Sequence, residues 1–428
     1  MAFQPMLVIG CGGSGGATLQ YMMDNLRAQL SRQFEKMSLP PLNALPDSWQ
    51  FLHVDVATTP DMAEETRPPT VQAQGGAFIG LANPGLTWRL VADDVWSRGR
   101  EERPDLVAGW LRKPSERDPA LSQGAGQERA VGRGVTLNSV TQLKDALERA
   151  HGRMTGAGAN SLRPLANAFG NVQISDIPIA IIVSSMAGGS GASMVLDVPQ
   201  ILATIDPNIG RTTAMFLYTS EVFGSLERAD RRGVEANGLA MMGEVFATSL
   251  GANGDDSDLL RLLGVTGSRT DQPFRRIFPI GRRAGTQGAL FGDGSLESIY
   301  RAVGRALAGM VGSPVALDKF IRYDLVNPNP QPTDDVWLGE GTSDPNSVLW
   351  GTFGYSSLSL GRDRYGEYVA QLLARRAVDR LVGGHKRDDE STGDADLQMA
   401  AEDAHRRVLH GLGLSPDTGS AVRLLGRK

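Results

Sequence analysis

Short apolar runs and segments of helical periodicity alternate along most of this chain. Apolar runs bounded by turn residues predict strands at residues 6–9, 51–56, 179–183, 212–219 and 276–281. Unbroken runs of this kind are typical of parallel strands that are covered on both faces. Apolar positions three and four apart predict helices at residues 17–30, 137–151, 194–205, 228–250, 295–311, 365–382 and 397–412. The alternation predicts an α/β fold in which a parallel sheet has helices on both faces.

Two of the predicted strands run into glycine-rich loops that open a helix. We call residues 10–16 (GCGGSGG) the first glycine loop and residues 187–191 (AGGSG) the second glycine loop. A strand, a glycine loop and a helix aim backbone N–H groups and a positive helix end at a phosphate, and glycine allows close approach because it has no Cβ. Two such loops in one domain predict a phosphate chain held from two sides. The candidate contacts are Gly12, Gly13, Ser14, Gly15, Gly16, Ala187, Gly188, Gly189, Ser190 and Gly191.

The first glycine loop alone also permits a different function. Gly10, Gly12 and Gly15 fit the dinucleotide pattern G-x-G-x-x-G, which allows a Rossmann-type enzyme that uses NAD(P). Asp55, the acid that would bind the ribose, lies further along than the usual distance of about 20 residues. This alternative leaves the second glycine loop unexplained, and no catalytic Lys/Tyr or His/Asp set accompanies it.

Composition excludes several classes of protein. The chain has 428 residues, of which 41% are hydrophobic, and this is enough for a large core and two or three domains. A net charge of −5 gives no electrostatic footprint for nucleic acid or an anionic membrane. Cys11 is the single cysteine, so disulfides and cysteine-based metal sites are excluded. No apolar run is long enough to span a membrane, and the start of the chain is not a signal peptide. We therefore expect a soluble, cytoplasmic protein.

The second glycine loop and its flanks carry a family resemblance. The segment 187–193, AGGSGAS, resembles the signature loop G-G-G-T-G-[ST]-G of the tubulin and FtsZ superfamily, with Ala187, Ser190 and Ala192 as its departures. The chain is most similar to the bacterial tubulin-like branch, from residue 6 to about residue 382. The resemblance implies a tubulin/FtsZ-like Rossmann-type sheet, bound GTP or GDP with Mg²⁺, and head-to-tail self-association into filaments with GTP hydrolysis coupled to assembly.

The resemblance also implies roles for residues outside the glycine loops. Asp55, at the end of a predicted strand, would lie near the phosphates and their magnesium ion. Glu221 would bind the ribose hydroxyls, with Glu227 as second choice, and Asn237 would contact the base or serve as a polar packing position. A third loop would touch the terminal phosphate, and either Gly75-Gly76 or 83–85 could supply it.

The predicted helix 295–311 resembles the superfamily's core helix, which joins the nucleotide domain to the second domain. Tyr300 matches the tyrosine that stacks on guanine. One turn later tubulin carries an asparagine that contacts the guanine edge, whereas this chain has Gly304, so guanine and adenine both stay open.

The loop after the core helix would supply acids that activate water in the neighbouring subunit's site. Asp318 and Asp324 are the catalytic candidates, and Asp334-Asp335 is a further option. The usual N-x-D-x-x-D pattern is not intact, which leaves open a nucleotide-binding scaffold that does not hydrolyse.

The domain boundaries follow from these elements. We predict a nucleotide-binding domain at 1–293, the core helix at 294–312, a reduced second α+β domain at 313–382, and a flexible linker with a C-terminal helix at 383–428, which could contact protein partners. Residues 253–258 (NGDDSD) are predicted to be a polar turn, and Arg129 and Arg133 are predicted to lie in a solvated loop.

Overall fold

A computed structural model describes most of the chain. The described residues are 1–40, 44–61, 67–100, 103–116, 118–227, 231, 233–249, 254–267, 273–285, 287–326, 350–351, 353–354, 362–383 and 394–411. The chain forms two compact units, residues 1–355 and 356–428. The first unit contains the sheet and the predicted core helix. The second contains two helices, α13 (Arg362–Gly383) and α14 (Asp394–Gly411).

The centre of the first unit is a six-stranded parallel sheet, in the order β4-β3-β2-β6-β7-β8. Its strands are β2 (Met6–Cys11), β3 (Trp49–Asp55), β4 (Ala77–Gly80), β6 (Ile179–Ser185), β7 (Thr213–Tyr218) and β8 (Arg276–Ile280). Two small pairs lie outside it: β1 (Ala2–Phe3) with β5 (Gln173–Ile174), and β9 (Arg283–Ala284) with β10 (Ala289–Leu290).

The strand order places a switch point between β2 and β6. From β2 the chain adds β3 and β4 on one side, and after β6 it adds β7 and β8 on the other. Crevices outside the carboxyl ends of strands at such a point are where open α/β sheets bind ligands. Both glycine loops follow these two central strands.

Helices cover both faces of the sheet. The helices of the first unit are α1 (Gly12–Lys36), α2 (Trp88–Arg100), α3 (Asp105–Ala108), α4 (Arg129–Asn138), α5 (Val140–Gly152), α6 (Arg163–Ala168), α7 (Ser190–Met194), α8 (Asp197–Ile205), α9 (Val234–Ser249), α10 (Gly254–Leu262), α11 (Leu296–Val311) and α12 (Pro314–Phe320). Successive strand residues alternate between two cores: Met6 and Val8 pack with α1 and α11, whereas Leu7 and Ile9 pack with α4, α5 and α8. The predicted α/β fold is confirmed.

The predicted core helix is α11, which packs along α1. A Cβ at Gly304 would lie 2.7 Å from Tyr21 Cβ and 2.8 Å from the Thr18 carbonyl oxygen. Only glycine fits so close to another helix. Gly304 therefore allows α11 to pack against α1, and a larger side chain at this position would push the two helices apart.

Three local predictions differ from the structure. Residues 254–258 are not a turn but the first part of α10, because the acids Asp255 and Asp256 occupy its favourable amino-terminal turn. Arg129 and Arg133 lie on α4, where they pair with acids of other helices, and not in a solvated loop. The helix predicted from residue 228 begins at Val234.

Residues 348–360 alternate between apolar and polar positions, which predicts one or two strands, but most of them lie outside the described residues, as does Asp334-Asp335. Trp350, which is described, forms an isolated parallel bridge to Ile277 at the edge of the sheet. The domain boundaries within 294–382 stay a prediction. In the described part of the chain, no helix combines the length and apolar character needed to cross a membrane.

Candidate functional site

A cavity of about 430 Å³ lies at the carboxyl ends of β2 and β6. Both glycine loops, the start of α11, the connection between β3 and β4 and the loop before α4 line it. The lining residues are Cys11, Gly12, Gly13, Ser14, Ala17, Asp61, Arg67, Gln127, Ser185, Gly188, Gly189, Ser190, Gly191, Leu296, Glu297 and Tyr300.

The two glycine loops meet backbone to backbone in this cavity. Gly12 has a φ of 71°, and a Cβ on it would lie 2.7 Å from the Gly191 nitrogen. A Cβ on Gly191 would lie 2.8 Å from the Cys11 carbonyl oxygen, which also accepts a hydrogen bond of 3.2 Å from Ser184 Oγ. Side chains at either glycine would force the loops apart. Glycine is therefore required at the junction.

Helix α1 presents its amino terminus to the cavity. It begins at Gly12 without a side-chain cap, and Gly12, Gly13 and Ser14 line the wall. The first N–H groups of a helix have no partner within the helix, and they lie at its positive end. This turn therefore offers hydrogen-bond donors and partial positive charge to an anion.

Gly15 and Gly16 are not among the lining residues. A Cβ on Gly15 would clash with the carbonyl oxygen of Val183 on β6 and with the Gly10 backbone on β2. A Cβ on Gly16 would overlap the buried ring of His53. These two glycines let α1 lie close against the strands.

The second glycine loop is held by side chains from α4 and α9. Asn237 Nδ2 donates to the carbonyl oxygens of Ala187, at 3.0 Å, and of Gln127, at 2.9 Å. Arg129 donates from Nε and Nη2 to the Ala192 carbonyl oxygen, at 3.2 and 3.1 Å. Gly188 is free of such restraint, since no atom lies within 4 Å of the place where its Cβ would stand.

Gln127 forms a wall that sequence reasoning missed. It adopts a φ of 63°, and its backbone lies 2.8 Å from the position of a Cβ on Gly189. Neither Gly75-Gly76 nor 83–85 is among the lining residues, whereas Gln127 is one of them. The succession Gly124-Ala125-Gly126 was the available signal.

Helix α11 supplies the remaining wall. Tyr300 OH lies 2.9 Å from Ser14 Oγ, its ring packs edge-on against Tyr218 at 5.2 Å, and burial raises its pKa to about 12. Glu297 accepts hydrogen bonds from Arg67, Nε to Oε1 at 3.1 Å and Nη2 to Oε2 at 2.7 Å, and from Tyr21 OH. Burial alone would raise the pKa of Glu297, but these donors outweigh it and lower that pKa, so the carboxylate stays ionised.

Asp55 and Asp61 are the two acids to weigh for a metal ion. Asp55 does not line the cavity: Oδ1 accepts from the backbone nitrogens of Val56 and Ala57, at 2.6 and 3.4 Å, and Oδ2 lies 3.7 Å from His53 Nε2. Asp61 does line it. Among the described residues, no group of three or more His, Cys, Asp or Glu could hold a metal by itself. Magnesium needs only one or two carboxylates when phosphate and water supply the other oxygens, so Asp61 fits a nucleotide-borne ion.

Glu221 and Asn237 lie outside the lining residues. Glu221 is half-exposed on the short turn Ser220–Ser225, and its Oε2 accepts from the Arg282 nitrogen at 3.2 Å. Asn237 contacts the two loop carbonyls described above. These contacts are those of a polar packing residue, and contact between Asn237 and the base stays a prediction.

Asp318 and Asp324 lie at the opposite end of the sheet. Asp318 pairs with the Met1 amino group at 3.5 Å and with Arg322 Nε at 3.1 Å. Asp324 is half-buried near Arg276, at the amino end of β8, and burial raises its pKa. Neither acid is among the residues that line the cavity.

Two comparisons with known proteins found similarities. A sequence model of the family described as Tubulin like matches residues 7–379. Among solved structures, the chain is similar to CetZ2 from Haloferax volcanii, a GTPgS-bound protofilament, with 12% identity and a TM-score of 0.35 over 73% of this chain. The match spans 58% of that CetZ2 chain. No curated protein matches significantly. Because the family model matches residues 7–379, the chain belongs to the family described as Tubulin like.

Proposed function

We propose that this protein binds a guanine nucleotide, GTP or GDP, with Mg²⁺ in the cavity between β2 and β6. The observation that carries the proposal is the meeting of two glycine loops, backbone to backbone, at the switch point of the sheet. Gly12, Gly13 and Ser14 would hold phosphate from one side, and residues 188–191 from the other. A single dinucleotide loop would not need the second glycine loop, so the NAD(P) alternative is the weaker one.

Backbone N–H groups would stabilise most of the negative charge on the phosphates. The described lining residues include one cation, Arg67, which is paired with Glu297, and they include no lysine. A phosphate chain without a lysine relies on N–H groups, the helix dipole and a metal ion. Mg²⁺ would neutralise the terminal phosphates, and Asp61, rather than Asp55, would hold its water shell.

We further propose hydrolysis coupled to head-to-tail self-association. The cavity lies at the carboxyl end of the sheet, whereas Asp318 and Asp324 lie at its amino end. Stacking one subunit on the next would therefore bring an acid of one to the nucleotide of the other, where it could activate water. We expect a cytoplasmic, bacterial protein whose C-terminal segment could contact other proteins.

A scaffold that binds nucleotide without hydrolysis is the second candidate. It is favoured by Asp318, whose carboxylate is already paired with Arg322 and the Met1 amino group. Steady-state GTP hydrolysis measured against protein concentration separates the two. A rate per subunit that rises with concentration and falls in Asp324→Asn supports coupled hydrolysis, whereas GTP binding without turnover at any concentration supports the scaffold.

Nucleotide binding itself is tested with GTP, ATP and NAD in the presence of Mg²⁺. Gly188→Val would place a side chain where no protein atom lies within 4 Å, on the cavity wall. We expect GTP to bind the wild type and to lose about tenfold or more in affinity in the variant, because backbone donors can no longer reach phosphate.

Gly109→Val is the matched control, because Gly109 has the same open surroundings but does not line the cavity. It should bind GTP like the wild type. NAD binding that survives Gly188→Val, without GTP binding, would replace this proposal with the dinucleotide alternative.

A further inference from the structure

One wall of the cavity carries an ionised carboxylate, Glu297, that can accept a further hydrogen bond. Glu297 lies in the first turn of α11, between the lining residues Leu296 and Tyr300. An ionised carboxylate offers about four acceptor positions and no donor. The described donors are Tyr21 OH and Arg67 Nε to Oε1, and Arg67 Nη2 to Oε2. One position therefore remains on Oε2 for a donor from a ligand.

The neighbours of Glu297 suit the nucleoside end of a ligand. If the glycine loops hold phosphate, as proposed above, the nucleoside extends toward the other walls. The apolar and aromatic lining residues, Ala17, Leu296 and Tyr300, lie on the α1 and α11 side. A base can pack on such groups, since packing on an aromatic ring is tolerant of its identity. Glu297, between Leu296 and Tyr300 on this wall, thus stands beside the expected base.

One turn beyond Tyr300, α11 offers no side chain that could contact a ligand. Gly304 has no side chain and faces the Thr18 and Tyr21 backbone region of α1, where a Cβ would already be too close. Glu297 is the only carboxylate on the described part of the α11 wall.

We propose that Glu297 is a specificity-determining residue that accepts a hydrogen bond from the 2-amino group of guanine, and that Arg67 is a positioning residue that orients its carboxylate. The proposal rests on the proposed function. Guanine offers N–H donors at its N1 and 2-amino positions, and the one remaining acceptor position on Oε2 would take the 2-amino group. The two-point contact from Arg67 fixes the plane of the carboxylate and keeps it charged.

The test compares dissociation constants for GTP and ITP, which lacks the 2-amino group. For the wild type we expect ITP to bind about tenfold more weakly or worse, the loss expected for a hydrogen bond to a charged acceptor. In Glu297→Met, which has no charge, the ratio of the two constants should fall to near one. General damage to the site changes both constants together and leaves their ratio unchanged.

Three further variants make the result decisive. Glu297→Gln keeps the volume and a weaker acceptor, so its ratio should fall between those of the wild type and Glu297→Met even if the latter folds poorly. Arg67→Met should weaken both nucleotides but keep a preference for GTP. Glu235→Met, the same substitution on the exposed surface of α9, should leave both constants unchanged.

Other outcomes overturn the proposal in distinguishable ways. An unchanged ratio in Glu297→Met, with both nucleotides bound, contradicts the role of Glu297 and leaves the proposed function intact. A variant that instead loses its preference for GTP over 2′,3′-dideoxy-GTP shows that Glu297 binds the ribose. Failure of the wild type to bind either nucleotide contradicts the proposed function itself.

Discussion

The first glycine loop is held by close backbone packing, whereas the second is held by side chains from distant helices. Gly15 lies against the backbones of β2 and β6, and Gly12 lies against Gly191. The second loop depends on hydrogen bonds from Asn237 to Ala187 and from Arg129 to Ala192, on the polypeptide just beyond it. Two loops that face one cavity thus derive their shapes from different physical sources.

Substitutions in the two loops should therefore affect the protein in different ways. Backbone packing of the first loop depends on the absence of a side chain, so an added methyl group acts on stability. The supports of the second loop are polar and charged, so changes there act through hydrogen bonding and pH. Substitutions in and behind each loop test this division, beginning with the largest effect.

Gly15→Ala should be the most damaging single change in either loop. Its Cβ would clash with the Val183 carbonyl oxygen and lie 2.7 Å from the Gly10 carbonyl carbon. Both are backbone atoms of central strands, so neither can rotate away. We expect a loss of about 3 kcal/mol or more in the free energy of unfolding, or failure to fold. Urea unfolding followed by circular dichroism measures it.

Gly13→Ala is the control within the same loop. Its Cβ would meet only the side chain of Asp61, at 2.8 Å from Oδ2, and Asp61 is exposed and can move. We expect a change of under about 1 kcal/mol, because alanine also favours a helix more than glycine does. Equal losses in the two variants would contradict the packing role given to Gly15.

The charged network behind the second loop should make stability depend on pH. Arg133 on α4 pairs with Asp197 on α8, at 3.5 Å, and with Asp256 on α10. Burial raises the pKa of Asp197 from 3.8 to about 6, although Arg133 opposes the shift, while Asp256 and Glu244 add to it. Between pH 3.8 and about 6, Asp197 is protonated in the folded state but ionised in the unfolded state. The contribution of Asp197 is therefore present below about pH 4 and is lost as the pH rises to about 6.

The size of this effect is at most about 3 kcal/mol, from a shift of roughly two pKa units at 1.36 kcal/mol each. It is measured as the difference in unfolding free energy between wild type and Asp197→Asn from pH 4 to 7. Carboxylates that do not interact with Asp197 cancel in that difference. A wild-type advantage that grows with rising pH would contradict a raised pKa for Asp197.

Sequence reasoning succeeded where the signal was local. The strands that carry the glycine loops are continuous apolar runs, and α11 shows a clear apolar face, so each was located close to its structural bounds. The paired arginines of α4 were missed for a physical reason. Arg133 and its partners Asp197 and Asp256 are separated by 64 and 123 positions, and no local pattern shows that they meet.

The same limit applies to the cavity wall. Gly12, Gly13 and Gly188 to Gly191 were predicted from their loops and do line it. Glu297 and Arg67 come together from positions 230 residues apart, and Gln127 reaches the wall only because the backbone turns at Gly124 and Gly126. Gly15 and Gly16 look like phosphate-binding glycines in sequence, but they pack against Val183 and His53.

Asn237→Ala should have the smallest of the three effects on stability. It removes two hydrogen bonds that join Ala187 and Gln127, and leaves both carbonyl oxygens without that donor. We expect a loss of about 2 kcal/mol, together with weaker binding of nucleotide, because Gln127 and the second loop are no longer held at the cavity. Asn237→Asp should cost more than alanine, since a carboxylate would face two carbonyl oxygens with no proton to donate. Denaturant unfolding of both variants, with Glu235→Ala as the control on the exposed surface of α9, checks this order. If alanine proves more costly than aspartate, Asn237 acts by filling space, and the second loop is held by packing as the first is.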